Sequence, residues 1–247
     1  MEKLKIAVLY GADAIFIGGQ EFGLRSGSDN FSIDEIEEGV IFASKHDVKI
    51  YVTTNIYAHL DNFKNFKEFV QELERVGVSG IIVGDPGYIK IAREYAPKLE
   101  IHISTQQSIT NSKAVKFYEN QGYQRVVLAR ELTFEEIDEI VKDTDIEIEV
   151  FIHGAVCSSY SGRCTLSNHM TSRDSNRGGC CQSCRWEYDL CYQEGDKYIN
   201  VALNEEDMPF TMSAKDMSLL EYIPKLCEIG VDSLKVEGRM KSHHYVA

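Results

Sequence analysis

The chain has 247 residues, 43% of them hydrophobic and 26% charged, which suits one large α/β domain and leaves no need for a second. Its formal charge of −13 argues against a nucleic-acid coat protein, whose phosphate affinity comes from Lys and Arg displacing counterions. No apolar run approaches a membrane span and no signal-peptide pattern opens the chain, so a cytoplasmic protein with no membrane partner is expected.

Residues from Glu2 read as an amphipathic helix that stops at Gly11 and passes into the apolar run Ala14-Ile-Phe-Ile-Gly18. A helix near Ser32 follows, then a strand Lys49-Ile-Tyr-Val-Thr53, a helix from near Asn62 to Gly77, and a strand Gly80-Ile-Ile-Val-Gly84. Next come a helix near Tyr88, a strand Glu100-Ile-His-Ile-Ser104, a helix from Ser112 to Gly122, and a strand Arg125-Val-Val-Leu-Ala129. A helix near Thr133 leads to the strand Glu147-Ile-Glu-Val-Phe151, and a last helix ending at Gly230 leads to Ser233-Leu-Lys-Val-Glu237. Glycine just past a helix permits the left-handed residue that ends it. Ser32 with Glu35, and Thr133 with Glu136, have capping-box spacing.

Seven strands in regular alternation with helices imply a parallel sheet and favour a (β/α)8 TIM-like barrel. An eighth strand is not found, so the expectation is one incomplete barrel over 1–247, lacking its first strand, with a cysteine-rich insertion over 154–212 after the strand ending near His153. Barrel active sites sit at the C-terminal ends of strands. Those ends present Gly18, Asn55, Asp85, Ser104, Gln106, Arg130, His153, Gly154, Glu237 and Arg239 as the residues that would converge.

Five cysteines crowd into the insertion: Cys157, Cys164, Cys180, Cys181 and Cys184. In a reducing compartment such crowding points to a metal or redox centre rather than disulfides. Four soft thiolates suit a [4Fe–4S] cluster, with zinc as the alternative. Cys157, Cys164 and Cys184 are three nominated ligands; the fourth is Cys180 or Cys181, with Cys180 preferred. Cys191 and Cys227 read as packing residues. Between Cys157 and Cys184 and just beyond, Arg163, Arg173, Arg177 and Arg185 face a single Asp174, so one basic loop rides on an acidic body. The sequence has no His-Glu-x-x-His, no Gly-x-Ser-x-Gly elbow, no Walker loop and no Gly-x-Gly-x-x-Gly, which removes the usual hydrolase and nucleotide-binding chemistry. Cys157 as a nucleophile with His153 as base is a weaker reading than ligation.

The run Glu149-Val-Phe-Ile-His153-Gly-Ala-Val-Cys157-Ser-Ser-Tyr-Ser-Gly162-Arg-Cys164-Thr-Leu-Ser167 resembles the signature of the family known as peptidase U32. Asn176-Arg-Gly-Gly-Cys180-Cys-Gln-Ser-Cys184-Arg-Trp186-Glu-Tyr188, Ser213-Ala-Lys-Asp216-Met and Ser233-Leu-Lys235-Val-Glu237-Gly238-Arg239-Met-Lys241 are similar to it too, as are Tyr10-Gly-Ala-Asp13 and Ser104-Thr-Gln-Gln107. The nearest likeness is to the branch that synthesises 5-hydroxyuridine in bacterial tRNA. That resemblance implies hydroxylation of a wobble uridine with an iron–sulfur cluster and a prephenate-like co-substrate. The partners it implies are tRNA and a paralogous family member. It also carries the ligand set Cys157, Cys164, Cys180 and Cys184 onto this chain. Glu149, His153, Glu237 and Arg239 are then the expected catalytic residues, and Asn55, Gln106, Arg130, Arg163, Arg177, Arg185 and Lys235 the expected substrate-binding ones. The alternatives are a collagenase-like peptidase and a non-catalytic, metal-stabilised subunit of a hydroxylation system. Family members usually begin with a further strand and continue past the position of Ala247, so a truncated chain is expected.

Overall fold

The computed structural model of the chain describes residues 1–25, 30–201, 210–239 and 241–247. Residues 202–209 of the expected insertion, and Met240 of the last family-like run, lie outside the described residues. Helix α1 (Glu2–Leu9) leads to β1 (Ala14–Gly18), α2 (Ile33–Ser44) to β2 (Lys49–Thr54), and α3 (Phe66–Arg75) to β3 (Gly80–Val83). Then α4 (Pro86–Tyr95) leads to β4 (Glu100–Ile103), α5 (Ser112–Glu119) to β5 (Arg125–Val127), and α6 (Phe134–Asp143) to β6 (Glu147–Gly154). The cysteine segment follows with α7 (Leu166–Thr171), a hairpin β7 (Cys191–Glu194) and β8 (Lys197–Asn200), and β9 (Met217–Ser218). The chain returns through α8 (Ile223–Ile229), β10 (Ser233–Val236) and α9 (His243–Val246).

The seven expected strands are the seven parallel strands found, in the order β1-β2-β3-β4-β5-β6-β10, with β9 antiparallel on β6. The sheet is curled, a half-barrel of TIM-like design. Gly11, Gly77, Gly122 and Gly230 all lie in the left-handed region, with φ of 94°, 83°, 76° and 94°, as a chain turning from helix into strand requires. Ser32 and Thr133 form the anticipated capping boxes with Glu35 and Glu136. The helix expected from Asn62 starts later: Leu60–Phe63 is a single 3₁₀ turn, and α3 begins at Phe66 after Asn65 in the left-handed conformation.

Two layers of side chains occupy opposite faces of the sheet. Outward residues such as Ile50, Val52, Ile101, Ile103, Ile148 and Val150 are buried in one apolar cluster with Ile36, Leu73, Ala92, Val115, Ile140 and Leu226 from the helices. Each such aliphatic side chain contributes about 1.5–3 kcal/mol through burial. The inward residues alternate with these and are largely polar. Glu149 Oε1 accepts from Lys235 Nζ at 2.6 Å, and Glu149 Oε2 accepts from Arg125 at 2.9 Å and from Ser233 Oγ at 2.8 Å. Tyr51 Oη donates to Glu100 at 2.7 Å, and its ring lies 4.3 Å from that of His102. Among the described residues no helix is long and apolar enough to cross a membrane.

Candidate active site at the strand ends

Above the inward polar layer, the strand ends carry a group of arginines around one carboxylate. Glu237, just past β10, accepts from Arg25 Nη2 at 3.1 Å through Oε1 and from Arg130 Nη2 at 3.4 Å through Oε2. Arg130 also donates to Ala155 O at 3.3 Å and lies 4.1 Å over the Phe151 ring. Arg239 crosses from β10 to donate to Thr53 Oγ1 of β2 at 2.9 Å, which ties the two ends of the curled sheet together at this level. A Cβ on Gly18 would meet the Arg239 guanidinium at 2.8 Å, and one on Gly154 would meet Glu237 Cβ at 2.7 Å. Glycine at these strand ends is what gives both side chains their space. Burial lowers the Arg130 and Arg239 guanidiniums, Arg239 to about 10, with Arg25 adding to the effect and Glu237 opposing it.

Arg25 was not legible as a site residue, and its position comes from the loop after β1. Phe22 is buried between the rings of Phe66, Phe69 and Tyr88, at 5.1, 5.0 and 5.8 Å, despite its left-handed backbone. Asn55 Oδ1 then accepts from Leu24 N at 3.2 Å. Asn55 therefore holds the loop that presents Arg25.

The cysteine segment leaves β6 and docks over the same strand ends. Gly162 (φ 73°) sits against the carbonyl of Gln106, which also accepts from Tyr57 Oη; Ser108 Oγ donates to Ser161 O, and Ser161 N donates to Glu131 at 2.9 Å. Gln106 itself is buried beneath this contact. Arg177 donates to Asn62 Oδ1 at 2.9 Å, and Arg185 donates to Ser213 at 2.8 Å, to Val156 O at 3.0 Å and to Ala214 O. Arg163 Nε donates to Ser108 Oγ at 3.1 Å. Arg163, Arg177 and Arg185 thus spend donors on pinning this segment, away from the group around Glu237.

Within the segment the Cys157 thiol is pushed up by enclosure of its sulfur, although the residue as a whole is exposed, and by the nearby thiols of Cys164, Cys184 and Cys180. Cys181 faces elsewhere: its sulfur lies 3.0 Å from Ser167 Oγ and 3.4 Å from Thr171 Oγ1, and those hydroxyls hold its thiol down to about 7. Arg130 feels the charge of Glu237 and, more weakly, that of Cys157, so Cys157 is the cysteine nearest in effect to the arginine group. Among the described residues no group of three or more His, Cys, Asp or Glu side chains is arranged so as to hold a metal ion. Thiols are soft donors of the kind that iron and zinc accept, and Cys157 is the one that lies near the Arg130 side chain.

Of the remaining expected residues, His153 adjoins this group, its carbonyl accepting from Glu237 N at 3.0 Å, while Glu149 and Lys235 lie deeper. Glu149 and Lys235 belong to the buried ion network inside the sheet, and His153 Nδ1 is 2.6 Å from Tyr245 Oη. Cys191 and Cys227 are not packing residues; both are exposed, Cys191 on the β7–β8 hairpin and Cys227 on the outer side of α8, so burial does not account for either.

The profile of Peptidase family U32 matches residues 1–247. The chain belongs to that family. It is 61% identical over its whole length to the tRNA hydroxylation protein P1 of Bacillus subtilis, covering 58% of that protein. It is 33% identical to the tRNA hydroxylation protein P of Escherichia coli, with 100% of this chain and 63% of that protein aligned. It is 39% identical to the 23S rRNA 5-hydroxycytidine C2501 synthase of Escherichia coli over 97% of this chain and 35% of that protein. The U32 chain therefore spans about three-fifths of the length of the first two relatives.

The docking of the U32 signature depends on Gly162, where a Cβ would collide with the Gln106 carbonyl and where φ is positive. Gly162→Ala is expected to cost about 1–3 kcal/mol and to lift the segment from the strand ends. Limited proteolysis should then cut within 155–185 faster than in the parent; equal cleavage rates would refute this.

Proposed function

We propose that the chain carries the catalytic part of an RNA hydroxylation protein that acts at C5 of a tRNA wobble uridine, with a prephenate-like co-substrate. The observation that supports this reading is the position of Cys157, with Cys164, Cys180 and Cys184 in its neighbourhood, beside an arginine-lined mouth at the strand ends, in a family whose similar members are named for RNA hydroxylation. Those names favour hydroxylation over the proteolysis that the family's own name suggests. Cys157, Cys164, Cys180 and Cys184 would hold a [4Fe–4S] cluster, with zinc as the other metal that this donor set accepts. A cluster there supplies one-electron chemistry. The protein's own residues bind and orient: Arg130 balances thiolate charge beside Cys157, and Glu237 and Arg239 fix the neighbouring mouth.

The test is nucleoside analysis of tRNA from a bacterial strain lacking its tRNA hydroxylation protein. Expression of this chain is expected to restore 5-hydroxyuridine derivatives. Metal analysis of the anaerobically purified protein should give iron and sulfide. Unmodified tRNA together with a colourless, stoichiometric zinc protein would refute the proposal.

A further inference from the structure

We infer that the mouth of the half-barrel is a binding site for a small dianion, with Arg25, Arg130 and Arg239 as its cationic walls and Glu237 as the internal carboxylate that the ligand displaces. The inference rests on the co-substrate part of the proposed function and assigns it a place. Three guanidiniums reach this point from three separate elements, the loop after β1, the end of β5 and the end of β10. Each oxygen of Glu237 is taken by a different arginine, the geometry by which a ligand carboxylate would bridge the same two donors. Among the described residues the Arg239 guanidinium donates only to the neutral Thr53 hydroxyl, and no carboxylate lies within ion-pair distance of it. Among the described residues Arg130 Nε is buried with no hydrogen-bond partner.

Space and surroundings fit the same ligand. Gly18 and Gly154 keep the strand ends free of side chains at the positions that Arg239 and Glu237 fill. Phe16 and Phe151 form apolar surfaces under the cations, Phe16 5.6 Å from Arg239 and Phe151 4.1 Å from Arg130, which suits a ring-bearing acid. Burial depresses Arg239 and the neighbouring Arg25 adds to it, a cost that two negative charges would relieve. A tRNA backbone is the poorer fit, because the Arg130 side chain is only 17% exposed and each phosphodiester brings a single charge on a bulky chain. The arginines of the cysteine segment are poorer candidates too, since their donors already hold that segment down.

Titration calorimetry on the full chain tests this without reference to tRNA. The probes are trans-cyclohexane-1,4-dicarboxylate and succinate, with cyclohexanecarboxylate as the monoanion. The cyclic dicarboxylate is expected to bind at least tenfold more tightly than the monoanion. Arg130→Gln and Arg239→Gln should each weaken it at least tenfold, and Glu237→Gln should tighten it by removing the competing carboxylate. Equal affinity for dicarboxylate and monocarboxylate in the unaltered protein would overturn the inference, as would unchanged dicarboxylate binding in arginine variants that still melt cooperatively. So would a result in which those variants lose affinity for a short RNA while the unaltered protein binds no dicarboxylate. Lost dianion binding with tRNA hydroxylation intact would refute the site alone; dianion binding with no hydroxylation would refute the function alone.

Discussion

Replacing any one of Cys157, Cys164, Cys180 and Cys184 with serine is expected to lower the visible absorbance of the anaerobically purified protein, and its restoration of 5-hydroxyuridine, by more than tenfold. Cys181→Ser is expected to leave both within twofold. The difference follows from orientation within the cysteine segment. Cys164, Cys184 and Cys180 are near enough to raise the Cys157 thiol, whereas Cys181 turns toward the hydroxyls of Ser167 and Thr171, where a serine would keep much of the hydrogen bonding. Serine is close to cysteine in size but a far poorer ligand for soft iron, so the substitution removes a donor with little change in packing. Absorbance spectra and nucleoside mass spectrometry on the five variants decide it. A dispensable member of the four, or an indispensable Cys181, would break the assignment.

Glu149→Ala is expected to be the most destabilising single change in the sheet interior. Its carboxylate side chain is 7% exposed and serves Lys235, Arg125 and Ser233 together. Removing it leaves Lys235 buried with an uncompensated charge, which costs about 3–5 kcal/mol. In a domain of this size that corresponds to a fall in melting temperature of roughly 10 °C. The double change Glu149→Leu with Lys235→Met should recover most of the loss, because apolar residues of similar volume fill the same space without a charge to desolvate. The same pair predicts acid sensitivity. Burial raises the Glu149 pKa, but Lys235, Ser233 and Arg125 outweigh it and hold the carboxyl down to about 2 from an ordinary 4.5. A depressed carboxylate stabilises the fold at pH values above 4.5 and loses that contribution as the pH falls through about 2. The full contribution is on the order of 3 kcal/mol. Burial also pushes Lys235 down against the pull of Glu149, so the pair as a whole is worth less than the carboxylate's shift. Melting curves of parent and double variant between pH 7 and pH 3 check this: the parent's decline should be steeper, and parallel curves would exclude Glu149 as the cause.

Strands and turns were legible because their signals are local. Glycine after a helix, an apolar run and a capping box each act within a few residues, and all appear where the sequence puts them. The interior network was harder to read, although Glu147, Glu149 and Phe151 alternate with Ile148 and Val150 in plain view. Period-two alternation in a parallel strand signals a polar inside and an apolar outside, and Glu149, expected as a catalytic residue, is the third residue of β6 with its side chain in that interior. The arginines of the cysteine segment could be counted but not partnered, since Arg177 finds Asn62 115 positions away. Arg25 carried no signal at all, because its place depends on Phe22 sinking into an aromatic pocket built by α3 and α4. Cys180 and Cys181 were indistinguishable as letters; that Cys181 lies against the hydroxyls of Ser167 and Thr171 could not be read from them.

The fastenings between Tyr57 and Gln106, Ser108 and Ser161, and Arg185 and Val156 involve no sulfur atom. The segment proposed to hold an inorganic centre is thus fastened by hydrogen bonds that need no iron or zinc. Loading would then be a late event on a folded protein, unlike the small zinc domains in which the ion itself drives folding. Stripping the centre with a chelator should leave a protein that still melts cooperatively and can be charged again.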